Sequence, residues 1–368
     1  MSVRNALIDN DLTFAQAIEG AIVAARGGDP LGGLRQARAA YARVARSSNV
    51  DDKIIGLNCL ALCQASHSNY IEAIATAMDA FSLAQGVGDE LQQAHALTTL
   101  AGAGNFVLDT ADASHNMLDR CIATARAHGD VALEVRGRSI RGVVLGNLLR
   151  FDEAEMDFQW ATAHIAQAGI MTPLLLVQGN WAQLYLKRAK NAQGAAQQSD
   201  WAQAESRILA ALAGTEASGD VEAQSRLHSS IGDLRCQQGR TTEAIDAYSR
   251  SQVLGFQMRN TGRIVGSQMD IGQIALASGQ FGQAISQFDA AYVLADSIRP
   301  SSQLAAACRG AARAWALDSS VAEEIRAGKI QHYQTLAAVE DEKFRQARAH
   351  TKKALEAFCI AQALRVAA

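Results

Sequence analysis

The chain has 368 residues, a formal net charge of −3 and only 3 prolines; 49% of its residues are hydrophobic, 5% are aromatic and 19% are charged. So few prolines, against a usual ~5%, exclude a loop-rich β protein, a collagen or a proline-rich linker. A chain with no basic excess is a poor general binder of nucleic acid, and no stretch approaches the ~18–20 uncharged apolar residues of a membrane span. The early Asp9 is not typical of a signal peptide, so we expect a cytoplasmic protein with reduced thiols.

The abundance of Ala, Leu, Gln and Arg favours helix along almost the whole chain, which predicts an all-α fold. At the N-terminus the pattern predicts two helices, Leu12–Arg26 and Leu34–Arg46, separated by a break at residues 27–30. We interpret residues 1–50 as a divergent hairpin that caps the array following it.

Residues 51–318 contain a repeated short motif in which a polar or acidic residue is followed by an alanine. Examples are Tyr70–Ile74 and Phe281–Ile285, in which the alanine is the fourth residue. This alanine, here called the anchor, stands at Ala73, Ala113, Ala154, Ala204, Ala244 and Ala284. Successive anchors are 40, 41, 50, 40 and 40 residues apart, a register that indicates a helical repeat.

Glycine followed by aspartate recurs 15–16 residues after an anchor, at Gly88 and Asp89, Gly129 and Asp130, and Gly219 and Asp220. The glycine is typical of a left-handed residue that ends a helix, and the aspartate is typical of an N-cap. Gly169 has the same offset, and Pro173 and Pro300 fall at such junctions, where the first helical turn tolerates proline. Each unit is therefore predicted to be two antiparallel helices: helix A before the anchor, and helix B, which carries it.

In most units a small residue stands twelve positions before the anchor and a large apolar residue stands four after it, as with Gly232 and Tyr248 or Gly272 and Phe288. Small residues let helices A and B cross closely, and the large side chain fills the groove between neighbouring hairpins. This spacing resembles the tetratricopeptide repeat. The resemblance implies a right-handed α-solenoid of stacked helical hairpins.

The period of 40 is longer than the standard ~34 residues, and the usual late proline is replaced by glycine and aspartate. Such long-period arrays resemble the sensory tetratricopeptide arrays of bacterial transcription activators, peptide-pheromone receptors and diguanylate cyclases. The resemblance covers residues 50–315 and implies protein or peptide partners.

The 50-residue spacing before Ala204 places extra residues between the two helices of one unit, near the polar stretch 189–200. This insertion is interpreted either as a tolerated loop or lengthened helix pair, or as a loop that contacts a partner.

Residues 319–368 are rich in charge, contain a single glycine and predict one long helix or a helix pair. A rough heptad of apolar residues runs along them, interrupted by Glu340 and Thr351: Tyr333, Leu336, Phe344, Ala347, Ala354 and Phe358. The segment resembles the signalling helix that joins tetratricopeptide sensors to an output domain, although no GGDEF-like, helix-turn-helix or receiver sequence follows it. It is expected either to cap the array or to form a homodimer.

No Walker A, HExxH, GxSxG or CxxC motif occurs, and we predict no enzymatic activity, no cofactor and no metal site. Cys59, Cys63 and His67 share one stripe of a helix, but the outer two are ~12 Å apart along its axis, too far for easy coordination of one ion. The two cysteines are interpreted as core residues.

In a tetratricopeptide-like array the concave groove is lined mainly by helix A, at positions 18, 15, 11, 8 and 7 residues before the anchor. These offsets, shifted past the insertion, select the predicted ligand- or partner-binding residues: Asn58, His95, Thr98, Asn105, Arg136, Ser139, Asn147, Gln183, Lys187, Arg226, Ser229, Asp233 and Gln273. They also select Ser66, Phe106, Gln237 and Met269. Amides on successive helices suit an extended peptide backbone, and the cations suit a carboxylate.

The leading hypothesis is a non-enzymatic scaffold or regulatory protein that holds a protein or peptide segment in its concave groove. The alternative is a sensory module that dimerises through its C-terminal helix and regulates a separate output protein, such as a diguanylate cyclase or a transcription regulator. Neither hypothesis requires direct contact with nucleic acid or with a membrane.

Overall fold

The computed structural model describes residues 12–26, 29–108, 110–165, 171–298 and 302–367. Across these ranges the regular structure is helical and includes no strand. The helices are α1 Phe14–Arg26, α2 Pro30–Val44, α3 Val50–Ser66, α4 Tyr70–Val87, α5 Glu90–Val107, α6 Ala111–Ala127, α7 Val131–Asn147, α8 Phe151–Ile165, α9 Met171–Lys190, α10 Gly194–Ser218, α11 Val221–Gln237, α12 Thr241–Gln257, α13 Thr261–Ala277, α14 Phe281–Ala295, α15 Ser302–Leu317 and α16 Glu323–Ala367.

The helices belong to two compact units, Met1–Ile140 and Arg141–Ala368, with the boundary inside α7. Within each unit, most helices that follow one another along the chain pack side by side as hairpins. The division into a cap at 1–50, an array at 51–318 and a tail at 319–368 stays a prediction.

Five of the six anchor alanines are fully buried, and each lies on the helix B that was predicted to carry it. The exception is Ala113, in the weakest copy of the motif, which is partly exposed while the next residue, Ser114, is fully buried. The Ser114 hydroxyl donates to the carbonyl oxygen of Ala101 at 3.1 Å. The anchor of this unit is therefore Ser114, because α5 is one residue longer than α7, α11 and α13.

The glycine–aspartate junctions have the predicted geometry. The glycine φ angle is positive at each: 78° at Gly88, 68° at Gly129 and 67° at Gly219. Each aspartate accepts a hydrogen bond at 2.9 Å from the backbone N–H three residues on: Asp89 from Gln92, Asp130 from Leu133 and Asp220 from Ala223. Pro173 lies in the first turn of α9, whereas Gly169 and Pro300 lie outside the described residues.

We expect Asp220→Ala to lower the local stability of α11 by about 1 kcal/mol, because it removes the side-chain acceptor that caps the helix. Asp220→Asn retains an acceptor oxygen and should cost much less. Hydrogen exchange of the first-turn amides of α11 measures both effects. Equal protection in the alanine and asparagine variants would contradict the capping role.

Helices A and B cross closely where glycine meets an aromatic ring, as the repeat spacing predicts. A Cβ atom on Gly142 would lie 2.6 Å from the Phe158 ring, and one on Gly232 would lie 2.5 Å from the Tyr248 ring. Those distances leave no room for any side chain at the two glycines. The aromatic rings are thereby fixed against helix A. This contact determines which side of helix A packs on helix B, and so which side carries its exposed polar residues.

The extra residues near 189–200 lengthen a helix rather than form a long loop. The turn after α9 is short, and α10 begins at Gly194 and runs for 25 residues. Its added first turns pack on the end of α9: the Gln197 amide donates to the Ala189 carbonyl at 3.0 Å, and Arg188 donates to Asp200 at 2.7 and 2.9 Å. Contact of this region with a partner stays a prediction.

The C-terminal segment is one helix of 45 residues, α16. Its first half packs on α15, and the Tyr333 hydroxyl donates to Asp289 of α14. Of the six predicted heptad residues, Tyr333 and Phe358 are buried within the single chain, as is the neighbouring Leu355, whereas the other four are only partly buried. A homodimer through α16 stays a prediction.

Candidate functional site

Two adjoining clefts lie on the A helices of the Arg141–Ala368 unit. The larger cleft has a volume of about 270 Å³ and is lined by residues of α7, α9 and α11: Gly142, Val143, Gly146, Asn147, Asn180, Gln183, Leu184, Leu186, Lys187, Lys190, Asp233 and Gln237. The smaller cleft, of about 110 Å³, is lined by residues of α9, α11 and α13: Gly179, Asn180, Gln183, Ala223, Arg226, Leu227, Ser229, Ser230 and Arg263. Asn180 and Gln183 belong to both clefts, so a single extended ligand can contact both.

The clefts bring together six of the thirteen predicted binding residues. Asn147, Gln183, Lys187 and Asp233 line the larger cleft, and Gln183, Arg226 and Ser229 line the smaller one. Gln237, which the same offsets select, also lines the larger cleft. Their role in binding stays a prediction. Gln273 is exposed on α13 but lies outside both clefts.

Two of the predicted residues of the Met1–Ile140 unit, Asn58 and Arg136, join neighbouring A helices instead. The Asn58 amide donates to the backbone carbonyl of Gln92 at 3.1 Å and to its side-chain oxygen at 2.8 Å. Arg136 donates to the Thr99 hydroxyl at 3.2 Å. These contacts connect α3 to α5 and α5 to α7 within that unit.

Thr98 does not face a groove, contrary to the prediction. It is fully buried, and its hydroxyl donates to the His95 carbonyl of its own helix at 2.7 Å, as threonine often does inside helices. Ser139 is 9% exposed and therefore offers little surface to a ligand. His95 and Asn105 are half-buried on α5.

Sequence reasoning missed four polar residues of the clefts: Asn180, Lys190, Ser230 and Arg263. Ser230 stands fourteen residues before its anchor, and Asn180 has the corresponding position once the insertion is taken into account. The offsets used for the prediction included positions fifteen and eleven before the anchor but none between them. Position fourteen before the anchor nevertheless faces the clefts as well. Lys190 and Arg263 lie at helix ends, where the periodic rule no longer applies.

The larger cleft carries two lysines on one face of α9. Lys187 donates to the side-chain oxygen of Asn147, a neutral partner. Burial, together with the neighbouring charge of Lys190, lowers the pKa of Lys187. Among the described residues neither lysine forms an ion pair, so their charges remain uncompensated by direct carboxylate contact.

Asp233 on the opposite side of the larger cleft is held by two donors. One carboxylate oxygen accepts from the Tyr248 hydroxyl at 2.7 Å, and the other accepts from the Gln183 amide at 2.8 Å. Gln183 also donates to the Ser230 hydroxyl at 2.9 Å. Because a carboxylate can only accept, the Gln183 nitrogen must face Asp233, which leaves the Gln183 carbonyl oxygen as an acceptor for a ligand.

A buried carboxylate organises the smaller cleft. Arg226 donates to Glu222 at 2.9 Å, Asn260 donates to it at 3.2 Å, and the Arg263 guanidinium lies 3.5 Å from it. Burial acts to raise the pKa of Glu222, but the two arginines outweigh it and the pKa is lowered. Two guanidinium groups thus lie beside one buried carboxylate at this cleft.

The arrangement suits recognition of an extended, acceptor-rich chain. The clefts offer ammonium, guanidinium and amide N–H donors at intervals set by successive A helices, and these donors pair well with carboxylates and peptide carbonyls. Within the described ranges no three His, Cys, Asp or Glu side chains are placed to hold a metal ion. Cys59 and Cys63 are buried core residues, as interpreted, with their sulfurs 3.8 and 3.7 Å from carbonyl oxygens of α1.

No protein-family model matches the chain, and no curated protein is similar to it in sequence at a significant level. Solved structures do resemble it. A Rap protein complexed with competence and sporulation factor is 15% identical, with a TM-score of 0.54 over 94% of this chain and 99% of that one. Aspartyl phosphate phosphatase F from Bacillus subtilis is 11% identical, with a TM-score of 0.51 over 95% and 96%. A tetratricopeptide repeat protein from Parabacteroides merdae is 14% identical, with a TM-score of 0.44 over 87% and 98%.

At these identities the likeness establishes the fold. The chain is a tetratricopeptide-like helical-repeat protein, and the predicted all-α solenoid class with a long C-terminal helix is confirmed. None of the described helices is long and apolar enough to cross a membrane.

Proposed function

We propose that the protein is a non-catalytic regulatory scaffold that holds an extended acidic segment of a peptide or partner protein across its two clefts. The observation that carries this proposal is the lysine pair of the larger cleft, Lys187 and Lys190, which faces the cleft without an ion-pair partner among the described residues. The Rap protein of similar fold forms a complex with competence and sporulation factor, which is a precedent for ligand binding by this architecture.

Anisotropy of fluorescein-labelled heptapeptides tests the proposal on the full-length protein. Three probes alternate alanine with glutamate, with glutamine or with lysine. The glutamate peptide should bind most tightly, because it alone complements the cationic side of the clefts. Tightest binding of the lysine peptide, or no binding of any probe, would contradict the proposal.

We expect Lys187→Ala to weaken binding of the glutamate peptide by about tenfold, the size expected for loss of one partly desolvated, charge-assisted hydrogen bond. Lys352→Ala removes an exposed lysine of α16 and serves as the control for net charge. Unchanged affinity of the Lys187 variant would place the ligand elsewhere.

The alternative, a sensory module that acts on a separate output protein through dimerisation, also remains a proposal. It predicts a dimer whose formation depends on the exposed side of α16. Sedimentation of the full chain with and without the glutamate peptide separates it from a monomeric scaffold. The activity in the name of aspartyl phosphate phosphatase F belongs to that protein, because 11% identity carries the fold alone.

A further inference from the structure

The Gln237 amide has a fixed orientation at one end of the larger cleft. Gln237 is the last residue of α11, and its side-chain oxygen accepts a hydrogen bond from the Trp201 indole nitrogen at 3.0 Å. An indole nitrogen can only donate, so the amide atom facing Trp201 must be the oxygen. The amide nitrogen of Gln237 donates to no group among the described residues.

Trp201 is in turn held by the lengthened part of α10. Asp200, the preceding residue, is only 5% exposed and receives two hydrogen bonds from Arg188 of α9. One turn earlier, Gln197 donates to the backbone of Ala189. These contacts fix the start of α10 on the end of α9, and they determine where the indole nitrogen points.

We propose that Trp201 is a positioning residue that sets the ligand specificity of the larger cleft: by donating to the carbonyl oxygen of Gln237, it keeps that oxygen turned towards α10 and leaves the amide N–H donors for a ligand. Beside Lys190, this end of the cleft then accepts a carboxylate oxygen and rejects a group that needs an acceptor. The inference rests on the proposed function and assigns a role to the extra residues of the 50-residue repeat.

Two probes that differ only in having carboxylate or carboxamide side chains test the inference: the alanine–glutamate heptapeptide and its alanine–glutamine counterpart. The native protein should prefer the glutamate peptide by about tenfold or more. In Trp201→Phe the ring packing is retained, but the Gln237 amide is free to rotate and offer its oxygen. The preference should fall about fivefold, mainly through weaker binding of the glutamate peptide. Trp315→Phe, the same substitution in α15, should leave the preference unchanged.

A spectroscopic measurement checks the hydrogen bond without a ligand. The Trp201 indole N–H resonance, identified from its loss in Trp201→Phe, should shift upfield and exchange faster with solvent in Gln237→Ala. An insensitive resonance would show that the bond is absent, and the inference would then be wrong.

The remaining outcomes are distinct. An unchanged preference in Trp201→Phe, or an equal loss of affinity for both peptides, overturns the inference and leaves the proposed function intact. If the native protein binds neither peptide, the proposed function fails and the inference fails with it.

Discussion

Replacing Phe288 by alanine is expected to lower the free energy of unfolding of the Arg141–Ala368 unit by about 3–5 kcal/mol. Phe288 is fully buried between two glycines: a Cβ atom would lie 2.9 Å from the ring on Gly272 of α13 and 2.6 Å from it on Gly310 of α15. The ring thus joins helices A of two successive hairpins. Neither glycine can extend a side chain into the space that the ring leaves, so the cavity cannot close locally.

The matched control is Phe256→Ala on α12, which removes a phenylalanine that is 53% exposed and should change the stability by less than ~0.5 kcal/mol. Urea unfolding followed by circular dichroism compares the two variants. Hydrogen exchange of α13 and α15 amides adds local resolution, since repeat arrays need not unfold in one step. A loss below ~1 kcal/mol for Phe288→Ala would contradict the packing described.

The repeat register could be predicted because its determinants are local and recur. The cap at Asp220 and the contact of Gly232 with Tyr248 each depend on residues a fixed distance apart within one hairpin. Repetition at 40 residues then distinguishes such pairs from chance. The same reasoning failed at Ala113 because one extra residue in α5 moved the anchor to Ser114.

The chemistry of the clefts could be predicted only in part. The offsets identified Lys187 and Asp233, since a helical face is periodic. They could not identify the bond between Trp201 and Gln237, or the neutral partner of Lys187, because those contacts join different hairpins. Such contacts depend on how neighbouring hairpins are rotated against each other. That rotation is determined by packing across the whole interface between the hairpins, so it does not correspond to any fixed spacing of residues in the sequence.

Asp270 should make the protein less stable as the pH rises from about 4 to 8. This residue of α13 is largely buried, and burial together with the charge of Asp233 raises its pKa to about 7. Tyr248 and Gln183 both donate to Asp233, whereas no described side chain donates to Asp270. Cys236 of α11 also lies near Asp233 and Asp270. Two charged residues of the neighbouring helices, Asp289 of α14 and Arg309 of α15, instead contact Tyr333 and Asp341 of α16.

The sign follows from proton linkage. The folded protein binds the Asp270 proton more tightly than the unfolded chain does, so this contribution to stability is complete at low pH and is lost as the pH rises through about 7. Asp270→Asn removes the titration and retains the shape. It should therefore stabilise the protein at pH 8 by an amount on the order of 2–4 kcal/mol and have little effect near pH 4, at the unfolded pKa of an aspartate.

Urea unfolding of the native protein and the Asp270→Asn variant between pH 4 and pH 8 measures this difference. The comparison cancels the contributions of His67 and His228, whose pKa values are lowered by burial and which titrate in both proteins. Asp246→Asn removes an exposed carboxylate of α12 and should leave the pH profile parallel to that of the native protein. A pH profile of the Asp270→Asn variant that is also parallel to that of the native protein would contradict this prediction. It would show that the pKa of Asp270 is not raised into this range in the folded protein.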